Sequence, residues 1–221
     1  MGIMETTTTA RRPLKTRQRE WAKAIAGFLV RQRVHPNLIS VLSIFCAALA
    51  GVALSSSSYS TPTHRVLLLL VAVAGIQLRL LCNMLDGMVA VEGKMQTKSG
   101  EIFNDLPDRI SDALILVPAG YAVPDLPYGP VLGWCAALLA IFTAYVRLLG
   151  GAAGLTQSFM GPMAKPHRMA TLTAACLLSI VELKYLRPGT LIWVALVVIN
   201  VGCVITIWRR TANIFRGLES R

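Results

Sequence analysis

The sequence predicts an all-α integral membrane protein with six transmembrane helices that follow an interfacial amphipathic helix. Hydrophobic residues make up 54% of the 221 residues and charged residues only 15%, and the mean hydropathy is +0.58. Several uncharged runs are close to the length of about 20 residues that spans a bilayer core. Such a composition is too apolar for an ordinary soluble domain of this size.

The N-terminal region divides into a leader and a helix. Residues 1–13 are polar and rich in threonine, which predicts a disordered leader. Within residues 14–34, apolar side chains recur at helical spacing opposite basic ones. The apolar positions are Trp21, Ala24, Ile25, Phe28 and Leu29. This pattern predicts an amphipathic helix that lies in the membrane interface.

Residues 35–210 are predicted to form the six-helix transmembrane domain, and residues 211–221 a basic cytoplasmic tail. Pro36 is expected in the first turn of the first span, because a helix tolerates proline there. The predicted spans cover residues 38–54, 66–91, 104–123, 131–149, 168–185 and 190–208. Residues 55–64 are predicted to be a loop, and residues 150–167 a longer one.

The distribution of basic residues predicts the orientation. Six spans place both termini on one side, and 17 of the 22 Lys and Arg residues lie in the tails and loops of that side. By the positive-inside rule, both termini are expected to be cytoplasmic in an inner or cytoplasmic-type membrane. The net charge of +11 is attributed to anionic membrane lipids and not to nucleic acid, because the basic residues are not interleaved with aromatic ones.

Residues 83–112 carry polar side chains at helical spacing between apolar spans. One predicted helical face contains Asn83, Asp86 and Ala90, and a second contains Asn104, Asp108 and Asp112. Ionisable groups within spans are costly and indicate a functional site. Oxygen donors without His or Cys suit Mg²⁺, Mn²⁺ or Ca²⁺. Gly87 and Gly100 would let a phosphate-bearing ligand approach the backbone, and Ala90 is small enough for a nucleotide beside its helix.

This stretch resembles the signature of the CDP-alcohol phosphatidyltransferase family, D-x-x-D-G-x-x-A-R, eight residues, G-x-x-x-D-x-x-x-D. The matching positions, in register, are Asp86, Gly87, Ala90, Gly100 and Asp108. The basic leader, the helix opening at Pro36 and the six spans agree with the family as well. The chain departs from the signature at three positions, where Asn83 and Asn104 replace aspartates and Val91 replaces arginine.

The resemblance implies a metal-dependent enzyme of phospholipid synthesis. It would move a phosphatidyl group from CDP-diacylglycerol to a small, possibly phosphorylated alcohol and release CMP. Asp108 would be the general base. The implied ligands of one or two Mg²⁺ or Mn²⁺ ions are Asn83, Asp86, Asn104 and Asp108. Both asparagines retain an amide oxygen but lose a negative charge, so weaker or single-metal binding is a hypothesis. A homodimer is expected from the family alone.

Other polar residues have alternative interpretations. Gly87, Ala90 and Gly100 would contact the nucleotide, and three basic residues are candidates for the phosphates: Lys94, Lys165 and Arg168. Each of the three is also explained by the positive-inside rule. Asp112 has either a direct role or an ion pair with Arg79 across two spans. Asp105 is expected to pair with Arg109, four residues away.

Two other function classes remain open. The asparagines are also compatible with a non-catalytic relative that binds a nucleotide-lipid or serves as a subunit of a lipid-synthesis complex. The second alternative is a small transporter in which Arg79 and the acids form an ion path. Transport would not explain why the signature residues stand at the spacing of the family motif.

Overall fold

The computed structural model describes residues 19–95, 97, 100–182 and 186–220, which form seven α-helices and no strand. The helices are α1 (Glu20–Arg31), α2 (Pro36–Ser57), α3 (Pro62–Glu92), α4 (Gly100–Tyr121), α5 (Gly129–Ala152), α6 (Lys165–Glu182) and α7 (Thr190–Glu219). α2 packs against α3 and α4, α4 against α5, α5 and α6 against α7, and α6 also against α3. The predicted all-α architecture is confirmed.

α1 is amphipathic, as its sequence predicts. Ala22 and Ala26 are buried in a cluster with residues of α3, among them Met88 and Val89. The large apolar side chains of Trp21, Ile25 and Phe28 are exposed. Interfacial placement stays a prediction, and the predicted leader 1–13 and residues 14–18 lie outside the described part of the chain.

Several helix boundaries differ from the sequence prediction. The predicted loop at residues 55–64 is mostly helical, because α2 continues to Ser57 and α3 already begins at Pro62. Ser57 Oγ donates to the Leu54 carbonyl at 2.7 Å, so a serine continues the helix without an unpaired hydroxyl. Proline is well tolerated at the start of α3. α7 continues to Glu219 through most of the predicted tail, since the basic residues there do not break a helix.

In the described part of the chain, four helices are long and apolar enough to cross a membrane, namely α2, α3, α5 and α7. α4 and α6 are less apolar over their length than these four, and they carry ionisable residues such as Asp108 in α4 and Arg168 in α6. Many large apolar side chains on the outer faces of the helices are exposed, as expected for surfaces that contact lipid. The structure therefore supports an integral membrane protein with four candidate spans, and the count of six stays a prediction.

Small residues allow the helices to pack closely. A Cβ at Gly51 of α2 would lie 2.1 Å from the Leu114 carbonyl oxygen of α4. A Cβ at Gly133 of α5 would lie 2.8 Å from the Val117 carbonyl oxygen of α4. Close approach of this kind is typical of helix interfaces in membranes, where packing replaces the hydrophobic effect. It fixes α4 against both neighbours.

We expect Gly51→Ala to destabilise the protein, because the added methyl group overlaps the α4 backbone. Overpacking of this kind costs about 1–3 kcal/mol. The midpoint of thermal unfolding in detergent should fall. The matched control is Gly27→Ala in α1, where a Cβ meets no atom within 4 Å and alanine favours the helix. Equal midpoints for the wild type and Gly51→Ala would contradict this packing.

Candidate active site

The two predicted polar faces lie side by side. The C-terminal turns of α3 carry Asn83 and Asp86, and the N-terminal turns of α4 carry Asn104 and Asp108. Asn83 Nδ2 lies 3.5 Å from Asn104 Oδ1 across the two helices. The fold therefore brings the two asparagines that replace signature aspartates into one place.

Lys165, the first residue of α6, joins this group. Its ammonium donates to Asn83 Oδ1 and to Asp108 Oδ2. The side chain of Lys165 is 17% exposed and that of Asp108 only 8%. Lys165 was predicted as a phosphate contact, and the structure places it directly against two of the predicted metal ligands.

Asp86 is buried beside the first span. Ser40 Oγ of α2 donates to Asp86 Oδ2 at 2.6 Å. Within the described part of the chain the other oxygen, Oδ1, is buried and has no hydrogen-bond partner, although the Gly87 backbone N–H acts electrostatically on the carboxylate. Sequence reasoning missed Ser40. Its signal was a hydroxyl one turn after Pro36 at the start of an apolar span.

Asp112 lies between two buried arginines. Its Oδ1 accepts from Arg79 at 2.7 Å and its Oδ2 from Arg168 at 2.7 Å, and all three side chains are at most 1% exposed. The Arg79–Asp112 pair predicted as one alternative is present. Arg79 also contacts Asp108, with its Nη2 3.4 Å from Asp108 Oδ1 and 3.2 Å from the Asp108 carbonyl oxygen.

The prediction of Arg168 as a phosphate contact does not agree with its position. Arg168 is 1% exposed and also donates to Thr143 Oγ1 at 3.3 Å and to the Met163 carbonyl at 2.9 Å. A buried guanidinium needs a carboxylate and acceptors around it. Arg168 therefore supports Asp112 and links α6 to α4 and α5.

Asp105 pairs with a different arginine from the one expected. Arg147 Nη2 of α5 contacts both Asp105 oxygens, at 2.9 and 2.7 Å. Arg109 instead donates through Nε to the Asp105 carbonyl at 3.4 Å and lies 3.7 Å from Asp108 Oδ2. The expected i, i+4 pair is wrong because α5 presents a cation to the same face of α4.

The predicted nucleotide contacts lie around the α3–α4 connection. Gly87 and Ala90 are half-buried on α3, and Lys94 is exposed in the turn, with a left-handed φ of 51°. A Cβ at Gly100 would come no closer than 3.4 Å to Thr97 Oγ1, which is an ordinary contact. Val91, which replaces the arginine of the signature, is 51% exposed.

The site contains oxygen donors of the kind that hard cations bind. Among the described residues, no three His, Cys, Asp or Glu side chains form a metal-binding group, so the amides of Asn83 and Asn104 would have to complete any site. Asp86 Oδ1 is a buried acceptor without a partner, which is what a cation requires. Asn83 Oδ1 and Asp108 Oδ2 already face the ammonium of Lys165.

We expect Asp112→Asn to destabilise the protein strongly, because Arg79 and Arg168 would remain buried without their carboxylate. Removing one partner of a buried ion pair costs about 3–5 kcal/mol. The free energy of unfolding in detergent measures this effect.

The matched control is Asp105→Asn, whose side chain is 23% exposed and whose loss should cost less. A folded Asp112→Asn protein with unchanged stability would contradict the structural role.

The sequence is similar to those of known proteins over most of its length. Over 210 residues (94% of this chain, 96% of the relative) it is 24% identical to an uncharacterized protein of Aquifex aeolicus (strain VF5). Over 181 residues (82% and 83%) it is 24% identical to the inner membrane protein YnbA of Escherichia coli (strain K12).

Crystal structures of Mycobacterium tuberculosis phosphatidylinositol phosphate synthase (PgsA1) share the fold. The structure with CDP-DAG bound has a TM-score of 0.71 at 19% identity, covering 88% of this chain and 93% of that one. The complex with manganese and citrate has the same TM-score and identity, covering 88% of each chain. The family described as CDP-alcohol phosphatidyltransferase matches residues 33–210. The chain therefore belongs to the CDP-alcohol phosphatidyltransferase family.

Proposed function

We propose that this protein transfers a phosphatidyl group from CDP-diacylglycerol to a small hydroxyl acceptor and releases CMP. The observation that carries the proposal is that Lys165 forms an ion pair with Asp108 and also acts electrostatically on Asp86, so the two signature acids that the chain retains lie near one cation. The fold shared with PgsA1, one structure of which has CDP-DAG bound, supports the same donor substrate.

Asp108 is the proposed general base. It would take the proton of the acceptor hydroxyl as the acceptor oxygen forms a bond to the phosphatidyl phosphorus. The bond from that phosphorus to the bridging pyrophosphate oxygen would break, and CMP would leave with the electron pair. Arg79 and Lys165 form ion pairs with Asp108 and so place two cations beside it. Because phosphoryl transfer depends mainly on positioning and charge neutralisation, two neighbouring cations also suit the chemistry.

Mg²⁺ or Mn²⁺ is the proposed cofactor. Asp86 would be its principal ligand, because Oδ1 is buried and without a partner while Ser40 orients Oδ2. Asn83, Asn104 and Asp108 are the other candidate ligands, through amide and carboxylate oxygens, and in the structure these oxygens contact Lys165, Arg79 or each other's amide. When bound, the ion would neutralise charge on the pyrophosphate. The PgsA1 complex with manganese is consistent with this choice.

The proposed acceptor is an anionic alcohol such as a glycerol or polyol phosphate. A small cleft between α5, the 153–164 connection and α7 is lined by Arg147, Ser158, Arg210 and Asn213, among others. Arg147 also contacts Asp105, one residue from Asn104. The Arg147 guanidinium, a preferred group for phosphate recognition, thus lies both in the cleft and next to the site, whereas Arg210 is buried and donates to the Met160 and Thr143 carbonyls.

We further propose that six helices, α2–α7, cross the membrane and that the site and both termini face the cytoplasm. The distribution of basic residues supports this orientation. Membrane lipids, CDP-diacylglycerol and the acceptor are the proposed partners. A homodimer is proposed from the family resemblance alone.

A non-catalytic nucleotide-lipid binder is the second candidate. It is favoured by the ammonium of Lys165 on Asp108 Oδ2, which engages the proposed base. Binding of CDP-diacylglycerol without release of CMP would support this candidate.

We expect the purified protein to release CMP from labelled CDP-diacylglycerol when Mg²⁺ or Mn²⁺ and an acceptor alcohol are present. Asp108→Asn should lower the rate about 10²–10⁴-fold, the usual contribution of a general base. Asp125→Asn, which changes an exposed aspartate outside the site, is the matched control. Full turnover by Asp108→Asn would contradict the base assignment, and binding without turnover by the wild type would contradict the enzyme.

We expect glycerol 3-phosphate or inositol phosphate to be a better acceptor than glycerol or inositol when lipid products are measured by mass spectrometry. Arg147→Gln should raise the KM for the phosphorylated acceptor about tenfold, since a charge-assisted hydrogen bond is worth about 1.5–3 kcal/mol. Arg209→Gln, at an exposed position of α7, is the control. An equal change in KM for the uncharged alcohol would argue against phosphate recognition by Arg147.

A further inference from the structure

Building on the proposed function, we propose that the Lys165 ammonium takes the place of a second metal ion, so that the site binds one divalent cation, on the Asp86 side. The proposal starts from the positions of the four oxygen donors and from the cation that already contacts two of them. It specifies the number of ions and assigns Lys165 a role next to the metal.

The four donors differ in what they contact. Asn83 Oδ1 and Asp108 Oδ2 both accept hydrogen bonds from Lys165. Asp108 Oδ1 faces Arg79 at 3.4 Å, and Asn104 Oδ1 faces the amide of Asn83. Asp86 Oδ1, in contrast, is buried and has no hydrogen-bond partner among the residues that the structure describes. Asp86 Oδ1 is therefore the acceptor available to a metal ion, whereas the other donor oxygens contact protein cations or an amide.

The charges lead to the same division. Asp86 and Asp108 supply two negative charges, and Lys165 supplies one positive charge that acts on both of them. One divalent ion would leave this group of charges at a formal +1, whereas two would leave it at +3, with Arg79 close by. A compact ammonium with three N–H donors matches a position between an amide oxygen and a carboxylate oxygen.

The asparagines fit this arrangement. An aspartate at position 83 would place a second negative charge beside Lys165. The Asn83 amide already supplies the acceptor oxygen that the ammonium needs. The amide of Asn83 also donates to Asn104, which a carboxylate does not do. The three side chains therefore form one hydrogen-bonded group, in which Lys165 donates to Asn83 and Asn83 donates to Asn104.

The number of bound ions tests the proposal without substrate. Mn²⁺ binding to the purified full-length protein in detergent is measured by calorimetry and by electron paramagnetic resonance of free Mn²⁺. We expect one ion per chain for the wild type. The triple variant Asn83→Asp, Asn104→Asp and Lys165→Met should bind two. Lys165→Arg should still bind one, because it keeps the cation.

Two controls keep the result interpretable. Lys23→Met removes an exposed lysine of α1 and should leave one ion per chain. The thermal midpoint and the elution volume of each variant report on folding, and if the triple variant is unfolded, the pair Asn83→Asp and Lys165→Met is measured instead and should also gain an ion. Two ions in the wild type, none in the wild type, or one ion in the folded variants would each overturn the proposal.

The release of CMP, measured on the same samples, separates this inference from the proposed function. One ion without CMP release would keep the metal count and refute the enzyme. Two ions with CMP release would keep the enzyme and refute the role of Lys165.

Discussion

The ion pairs of Asp112 with Arg79 and Arg168 are the interaction on which the site depends. They join α3, α4 and α6 at a depth where water does not screen the charges. Arg79 extends the same contact to Asp108, one helical turn away. The orientation of Asp108 is therefore set by buried ion pairs, while its other oxygen faces Lys165 at the more exposed side.

This arrangement divides the acids by function. Asp112 is buried between arginines, and Asp105 is bound to Arg147 on α5, so both serve to hold helices together. Asp86 and Asp108 are the two acids to which we assign the proposed chemistry. The small residues Gly51 and Gly133 let α2 and α5 approach α4, which brings Ser40 and Arg147 within reach of the acids. The geometry of the site therefore depends on how closely these helices pack.

Much of the fold and part of the site were readable from the sequence. The apolar runs predicted the helices, since their length and composition are set by a bilayer, and the spacing of Asp86 and Asp108 predicted faces that meet. Boundaries were less predictable. From polarity alone, α2 was expected to end before Ser57 and the last span before the basic residues of α7. Both helices continue instead, and in α2 the reason is that a serine hydroxyl can bond to the backbone of its own helix.

The sequence by itself determined the membrane character, the helical periodicity and the register of the signature, because these depend on neighbouring residues and local spacing. Only the tertiary structure decided which charges pair. Arg168 pairs with Asp112 and does not face an open site. Asp105 pairs with Arg147 of α5 and not with Arg109. Lys165 of α6 contacts both Asn83 and Asp108. These partners lie 42 to 82 positions apart in the chain, so their pairing depends on how the helices pack.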